Sequence, residues 1–193
     1  VTHGGGRGGF DLNLKPPAGC ALAANPNSTA ESMRALRRAL IDWVVKDAPP
    51  PESRYPLLQR EELAAPDRRS MGFPAIPGAP LPDNMLNRLP DHDVGPDFRC
   101  NDVSGVVSRQ PPAILRTIPM LVPKTDPDGN EQAGVPLILN QAPLGTYLGW
   151  NVTASGYLKG QTCGFAGGFI PFARTRAERL AEGDPRPSLE ERY

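Results

Sequence analysis

The sequence predicts a coil-rich α+β fold, and three observations predict it. Among 193 residues there are 24 prolines and 20 glycines, so roughly a quarter of the chain resists regular hydrogen-bond ladders. One segment, residues 28–46, carries apolar side chains at helical spacing, and one stretch, residues 120–139, sets apolar arms around turn residues. Apolar residues make up 39%, below the typical globular share, and the length suits one ordinary domain.

Charge and cysteine usage exclude several function classes. The 21 Lys+Arg balance 21 Asp+Glu, which leaves no basic footprint for nucleic acid or for an anionic membrane surface. No apolar run approaches the roughly 20 residues that cross a bilayer. Val1 to Phe10 is a glycine stretch without the apolar centre of a signal peptide. Neither a nucleic-acid nor a membrane partner is expected. Cys20, Cys100 and Cys163 form no CxxC or Cys/His pair. They offer no zinc cluster and at most one internal bridge, whose partners the spacing leaves open.

The helix begins after Asn25-Pro26-Asn27, where Ser28 is a good N-cap and Glu31, three positions on, completes a capping box. Met33, Leu36, Leu40, Trp43 and Val44 recur at spacings of three and four, with Arg34, Arg38 and Asp42 on another side, so the segment is amphipathic to about Lys46 and its stripe needs a core. Pro49-Pro50-Pro51 ends it, because proline lacks the amide donor and clashes with the preceding turn. Residues 49–119 then read as a long meander, interrupted by prolines from Pro56 to Pro112. A stretch of that length is expected to wrap something larger.

Order resumes at Met120-Leu121-Val122. A hairpin is expected through Asp126-Pro127-Asp128-Gly129-Asn130 and out by Val135 to Leu139. Gly145 to Phe172 is aromatic and glycine-rich, and ordinary core is its expected role. A short helix from Thr175 to Glu182 stops at Gly183-Asp184-Pro185. Ser188 and Glu191 form another capping box, but Leu189 to Tyr193 is too short to persist as a helix by itself in water. That truncated helix, together with Val1-Thr2-His3 as the last step of a strand, predicts a piece of a longer polypeptide.

Only two histidines can serve as a general base near neutral pH. His3 precedes Gly4-Gly5-Gly6, and a His-Gly-Gly-Gly oxyanion loop would demand a Gly-x-Ser-x-Gly nucleophile turn downstream. None of the serines at 28, 32, 53, 70, 104, 108, 155 and 188 has glycine at both positions two away, so that version fails. The second version makes His3 the base itself, with its nucleophile upstream, set against a plain glycine-rich terminus. His92 lies in Asp91-His92-Asp93 with Asp97 nearby, and a solvated loop is expected there rather than a metal site, since no second histidine or cysteine completes one. The Asp126/Asp128/Asn130 spacing suggests a calcium loop, but its glycine falls at the fourth place and Leu137 stands where the closing glutamate belongs, so a turn is expected. Overlapping PxxP patterns from Pro74 to Pro82 could meet a polyproline groove, yet Phe73, Ile76 and Leu81 between them favour burial. No cofactor and no metal is expected.

Several of these pieces together resemble the C-terminal part of a large bacterial "alpha/beta hydrolase domain" family of secreted or periplasmic hydrolases. The resemblance spans nearly the whole chain. It rests on His3-Gly4, Asn25-Pro26-Asn27, Pro49-Pro50-Pro51 with Ser53-Arg54-Tyr55-Pro56, Phe73-Pro74-Ala75-Ile76-Pro77, Asp128-Gly129-Asn130-Glu131, Thr146-Tyr147 with Gly149-Trp150-Asn151, Phe169-Ile170-Pro171-Phe172-Ala173, and the run from Gly183 to Tyr193. The last run is the most specific of these marks.

The resemblance implies the α/β class, as the C-terminal portion of an α/β-hydrolase fold. In that reading residues 1–193 are a single unit: 1–48 the end of the hydrolase core with the histidine loop and amphipathic helix, 49–119 the Pro-rich wrapping region, 120–193 the hairpin, aromatic segment and C-terminal helices. It places His3 at the triad base after the final strand, with serine and acid upstream of Val1, and implies a small-molecule ester substrate, dependence on the upstream part of the same protein, and a periplasmic or secreted location. The rival expectation is a non-catalytic binding or structural module that presents its proline and aromatic surface to a partner.

Overall fold

In a computed structural model of the chain, the structure describes residues 15–80, 89–101, 107, 109–165 and 167–193. The ordered centre is a three-stranded antiparallel sheet in the order β1-β7-β6, built from β1 (Ala23–Ala24), β6 (Gly145–Leu148) and β7 (Gly168–Pro171). Strand periodicity sends Tyr147 and Leu148 of β6 to opposite faces, and each face builds its own apolar cluster. Tyr147 packs with Ala23, Leu139 and Phe169, its ring stacked on Phe169 at 5.3 Å. Leu148 packs with Met71, Phe73 and Ile76, and the half-buried Trp150 closes that cluster with its ring 5.7 Å from Phe73. Gly145 is required by the pairing, because any side chain there would run into the Ile170 carbonyl and the Phe169 ring across the ladder.

The expected helix is present as α1 (Ala30–Lys46). Thr29, not Ser28, occupies the capping position, and Ser28 Oγ accepts the Ala30 amide at 3.1 Å from one residue earlier. The helix stops before the prolines: Asp47 turns left-handed (φ 55°), and the Asp47 and Ala48 amides return to the Trp43 and Asp42 carbonyls. None of its residues is buried. The stripe that needs a core therefore lies open.

The region read as an unbroken meander contains regular structure, which corrects that reading. A 3-10 turn (Leu58–Arg60) precedes β2 (Leu63–Ala64) and α2 (Arg68–Met71), and β3 (Leu89–Asp93) pairs with β4 (Ala113–Ile118) across a register shift between Asp91 and His92. Pro90 is tolerated because β3 has only one neighbour, so its missing amide can face away from the ladder. Phe73 and Ile76 are buried, as their position among prolines suggested, while Leu81 lies outside the described residues. The β3–β4 ribbon leaves Leu89, Ile114 and Leu115 exposed, and a lone two-stranded ribbon is marginal in water.

The expected hairpin at 120–139 shrinks to a turn. Thr125 pairs with Glu131 in an isolated bridge, after which the arms part: β5 (Val122–Pro123) pairs with β2, and the other arm enters α3 (Ile138–Gln141). The C-terminal helices are α4 (Arg176–Glu182) and α5 (Leu189–Arg192), each opened by a capping box, Thr175/Glu178 and Ser188/Glu191. No helix among the described residues is long and apolar enough to cross a membrane.

The cysteine pairing left open by spacing is Cys20–Cys163, and Cys100 is free and exposed. The bridge closes a sequence separation of 143 residues and ties the segment before β1 to the loop after β6. A loop of that length loses much of its unfolded-state entropy when closed, a stabilisation of up to about 5 kcal/mol in the chain-entropy account. Reduction with dithiothreitol, or the Cys20→Ala/Cys163→Ala pair, is expected to lower the unfolding free energy by several kcal/mol; an unchanged urea midpoint on reduction would contradict this pairing.

Candidate functional site

Two buried polar networks organise the molecule. The first fixes the segment that leads from residue 15 into α1. Asn151, fully buried, accepts the Leu22 and Val152 amides at 3.1 and 2.9 Å and donates from Nδ2 to the Leu22 carbonyl at 2.9 Å. One side chain thus replaces a strand partner for Leu22. Asn25 donates to the Leu148 carbonyl at 3.2 Å and accepts the Asn27 amide at 3.0 Å, while its own amide bonds to the Gly167 carbonyl. These bonds seat the Asn25-Pro26-Asn27 turn on the central sheet and set where α1 departs.

The second network is the run Gly183 to Tyr193 seen from inside. Arg186 is 2% exposed and uses its whole fork. Nε and one terminal nitrogen grip Asp184 at 2.9 and 2.6 Å, while the two terminal nitrogens reach Thr146 Oγ1 at 2.8 Å, the Ile170 carbonyl at 3.0 Å and the Pro171 carbonyl at 3.1 Å. Those carbonyls belong to β7, so the guanidinium occupies the place a further strand would take at its end. Thr146 passes the network on by donating to the Asp128 carbonyl, and the Asp128 carboxylate pairs with Arg192 of α5. Phe172 lies between the two cations, with Arg186 5.1 Å and Arg192 4.0 Å from its ring centre.

The 126–130 turn is held from within. Asp126 Oδ1 accepts the Asp128 and Asn130 amides, both at 2.9 Å, and Gly129 takes φ 80°, packed close to Phe73 and Thr146. Asn130 then pairs with β6 as a strand would, donating to the Gly145 carbonyl and accepting the Tyr147 amide. The Asp126/Asp128/Asn130 spacing is spent on these bonds and on Arg192, which accounts for it as turn chemistry.

Electrostatics follow from these partners. Burial pushes the Asp126 carboxyl above its ordinary range despite the two amides it accepts. Asp184 is also penalised by burial, but the hydrogen bonds from Arg186 outweigh that and hold it below the usual carboxylate range. Glu191 falls furthest, from 4.5 to about 2, through the Ser188 amide first and the Arg179 guanidinium after it.

His3 lies outside the described residues, as do the glycines that follow it. His92 sits exposed on β3 opposite Ile114, and its neighbour Asp91 is engaged by Arg116 at 2.9 Å. No cluster of three His, Cys, Asp or Glu side chains suited to a metal occurs among the described residues. Sequence reasoning missed the buried roles of Arg186, Asn25 and Asn151. No local pattern marks Arg186 as buried, since an arginine between Pro185 and Pro187 reads as solvent-facing.

The family profile described as "Alpha/beta hydrolase domain" matches residues 9–193. The chain belongs to that family. No curated protein and no solved structure matches it. The profile match begins after His3 and spans both networks. In this hydrolase domain those residues are structural: each polar atom of Arg186 is spent on the protein itself.

Replacing Arg186 by Met strands a buried carboxylate at Asp184, and losing one partner of a buried pair costs about 3–5 kcal/mol. Urea unfolding of Arg186→Met should show that loss, and Arg186→Met combined with Asp184→Asn should recover part of it; a neutral single variant would show that the fork is dispensable. Because the folded pKa of Glu191 is depressed, its contribution is complete above 4.5 and drains away as pH falls toward about 2. Unfolding midpoints measured across that window should decline, and Glu191→Gln should flatten the decline.

Proposed function

We propose that this hydrolase domain is the C-terminal portion of a serine hydrolase acting on carboxylic esters, in which His3 is the triad base and the nucleophilic serine and its acid partner come from polypeptide ahead of Val1. The observation that carries the reading is membership of the alpha/beta hydrolase domain family in a sequence whose serines include no Gly-x-Ser-x-Gly nucleophile turn. The antiparallel sheets described here also differ from the mostly parallel sheet that such a fold builds around its nucleophile.

In this mechanism the neutral His3 imidazole removes the serine hydroxyl proton as the oxygen attacks the ester carbonyl. The resulting imidazolium returns that proton to the departing alcohol, leaving an acyl-serine. Water then attacks the acyl-serine, with His3 taking its proton and giving it to the serine oxygen as the acid leaves. The Cys20–Cys163 bridge supports a periplasmic or secreted site of action, since structural disulfides persist in oxidising compartments.

In the complete enzyme, His3→Ala should lower ester turnover by on the order of 10⁴-fold or more while leaving the far-ultraviolet circular dichroism unchanged. Turnover of p-nitrophenyl acetate and butyrate at the parental rate would remove His3 from the mechanism.

A further inference from the structure

We propose that the groove between the start of α1 and Pro136–Leu139 binds a primary alkylammonium ion, with its chain on the apolar wall and its head donating to Asn27 Oδ1 beside Glu31. On the α1 side the groove is lined by Asn27, Ser28, Glu31, Ser32 and Ala35, and it encloses about 440 Å³. That volume lies in the range of small-molecule sites, which pair apolar walls with a few convergent polar groups.

The observation that points to a ligand is an unspent buried acceptor. Four asparagines are buried among the described residues, and three spend their side-chain carbonyl oxygen on the fold. Asn25 gives it to the Asn27 amide, Asn130 to the Tyr147 amide, and Asn151 to the Leu22 and Val152 amides. Asn27 is the exception: it is 2% exposed and its Oδ1 has no hydrogen-bond partner. A buried acceptor without a donor is destabilising, and this one belongs to a residue in the wall of a cavity. Both walls are fixed in advance. Asn25 ties the turn that carries Asn27 to the Leu148 carbonyl, and Leu139 packs with Tyr147 and Phe169 of the same sheet. A ligand would therefore meet a site that needs little ordering.

The head group follows from the lining. Among the described residues that line the groove, Glu31 alone is charged. Its own backbone amide first, and the Ser28 hydroxyl after it, hold its carboxyl below the ordinary range. It is therefore ionised at neutral pH and already faces the partial positive charge of the helix start. Arg34 adds a through-space attraction to Glu31 and does not line the groove. A carboxylate head would meet the Glu31 charge with no lining cation to offset it. A purely apolar molecule would leave Asn27 Oδ1 unpaired. An ammonium head carries donors only and a positive charge, so it serves both the orphan oxygen and the carboxylate.

The test uses the complete enzyme and a photoreactive octylamine that carries an aliphatic diazirine on its chain, with the attachment residues read by mass spectrometry. Label is expected on Pro136–Leu139 and on Ser32 or Ala35. Octylamine should compete for it at least about tenfold better than octanol or octanoate, as a charge-assisted hydrogen bond predicts. Glu31→Gln should remove most of the advantage of octylamine over octanol. Ala35→Trp, a change at an exposed position, should fill the groove and abolish the label with the far-ultraviolet circular dichroism unchanged. Equal competition by octanol or octanoate, label that survives Ala35→Trp, or label confined to other parts of the enzyme would overturn the inference. The described lining does not include His3, so His3→Ala should leave the labelling as it is; label lost in that variant would place the amine in the catalytic site and overturn the groove assignment.

Discussion

The structure depends on one buried guanidinium. Arg186 satisfies Asp184, the Thr146 hydroxyl and two carbonyls at the end of β7 at once, so a single side chain joins the C-terminal run to two strands of the central sheet. An arginine can do this and a lysine cannot, because its planar fork presents several donors in fixed directions. The desolvation cost of burying the charge is offset only while every partner stays in place. Through Thr146 the same network reaches the Asp128 carbonyl, and through Asp128 it reaches Arg192. Helix α5 has only four residues, and it is held by these ties and its capping box rather than by its own propagation.

Around that centre the molecule uses polar side chains as substitutes for strands. Asn130 and Asn151 complete ladders that the short strands leave unfinished, and Asn25 anchors the start of the path into α1. This is how a chain with so many prolines and glycines satisfies its buried backbone groups without long sheets. The same economy leaves the apolar material unevenly placed. The core clusters lie on the two faces of β6, while α1 and the β3–β4 ribbon carry large apolar side chains into the open.

Much of the local structure was legible. Periodicity gave α1 to within two residues, glycine placed the end of α4, and the Ser188/Glu191 box marked α5. The turn at 126–130 was legible as a turn, but its partners were not, because β2 and β5 are two residues each and two residues carry no alternation to read. The ribbon at 89–118 was hidden by its prolines, which read as breakers, although a strand with one neighbour accommodates them. Within the candidate site, the run from Gly183 to Tyr193 was recognisable as a mark, but that Arg186 is buried was not, since an arginine between prolines normally reads as solvent-facing.

By itself the sequence determined the helices and their caps, the turn chemistry, the absence of a nucleophile turn and the limit of one disulfide, because each depends on residues a few positions apart or on a count. Tertiary structure alone decided that Cys20 meets Cys163, that Arg186 turns inward onto β7, and that the stripe of α1 finds no cover among the described residues. Those outcomes depend on groups brought together from distant parts of the chain, where burial and partner geometry set the energy, and spacing along one sequence carries no record of either.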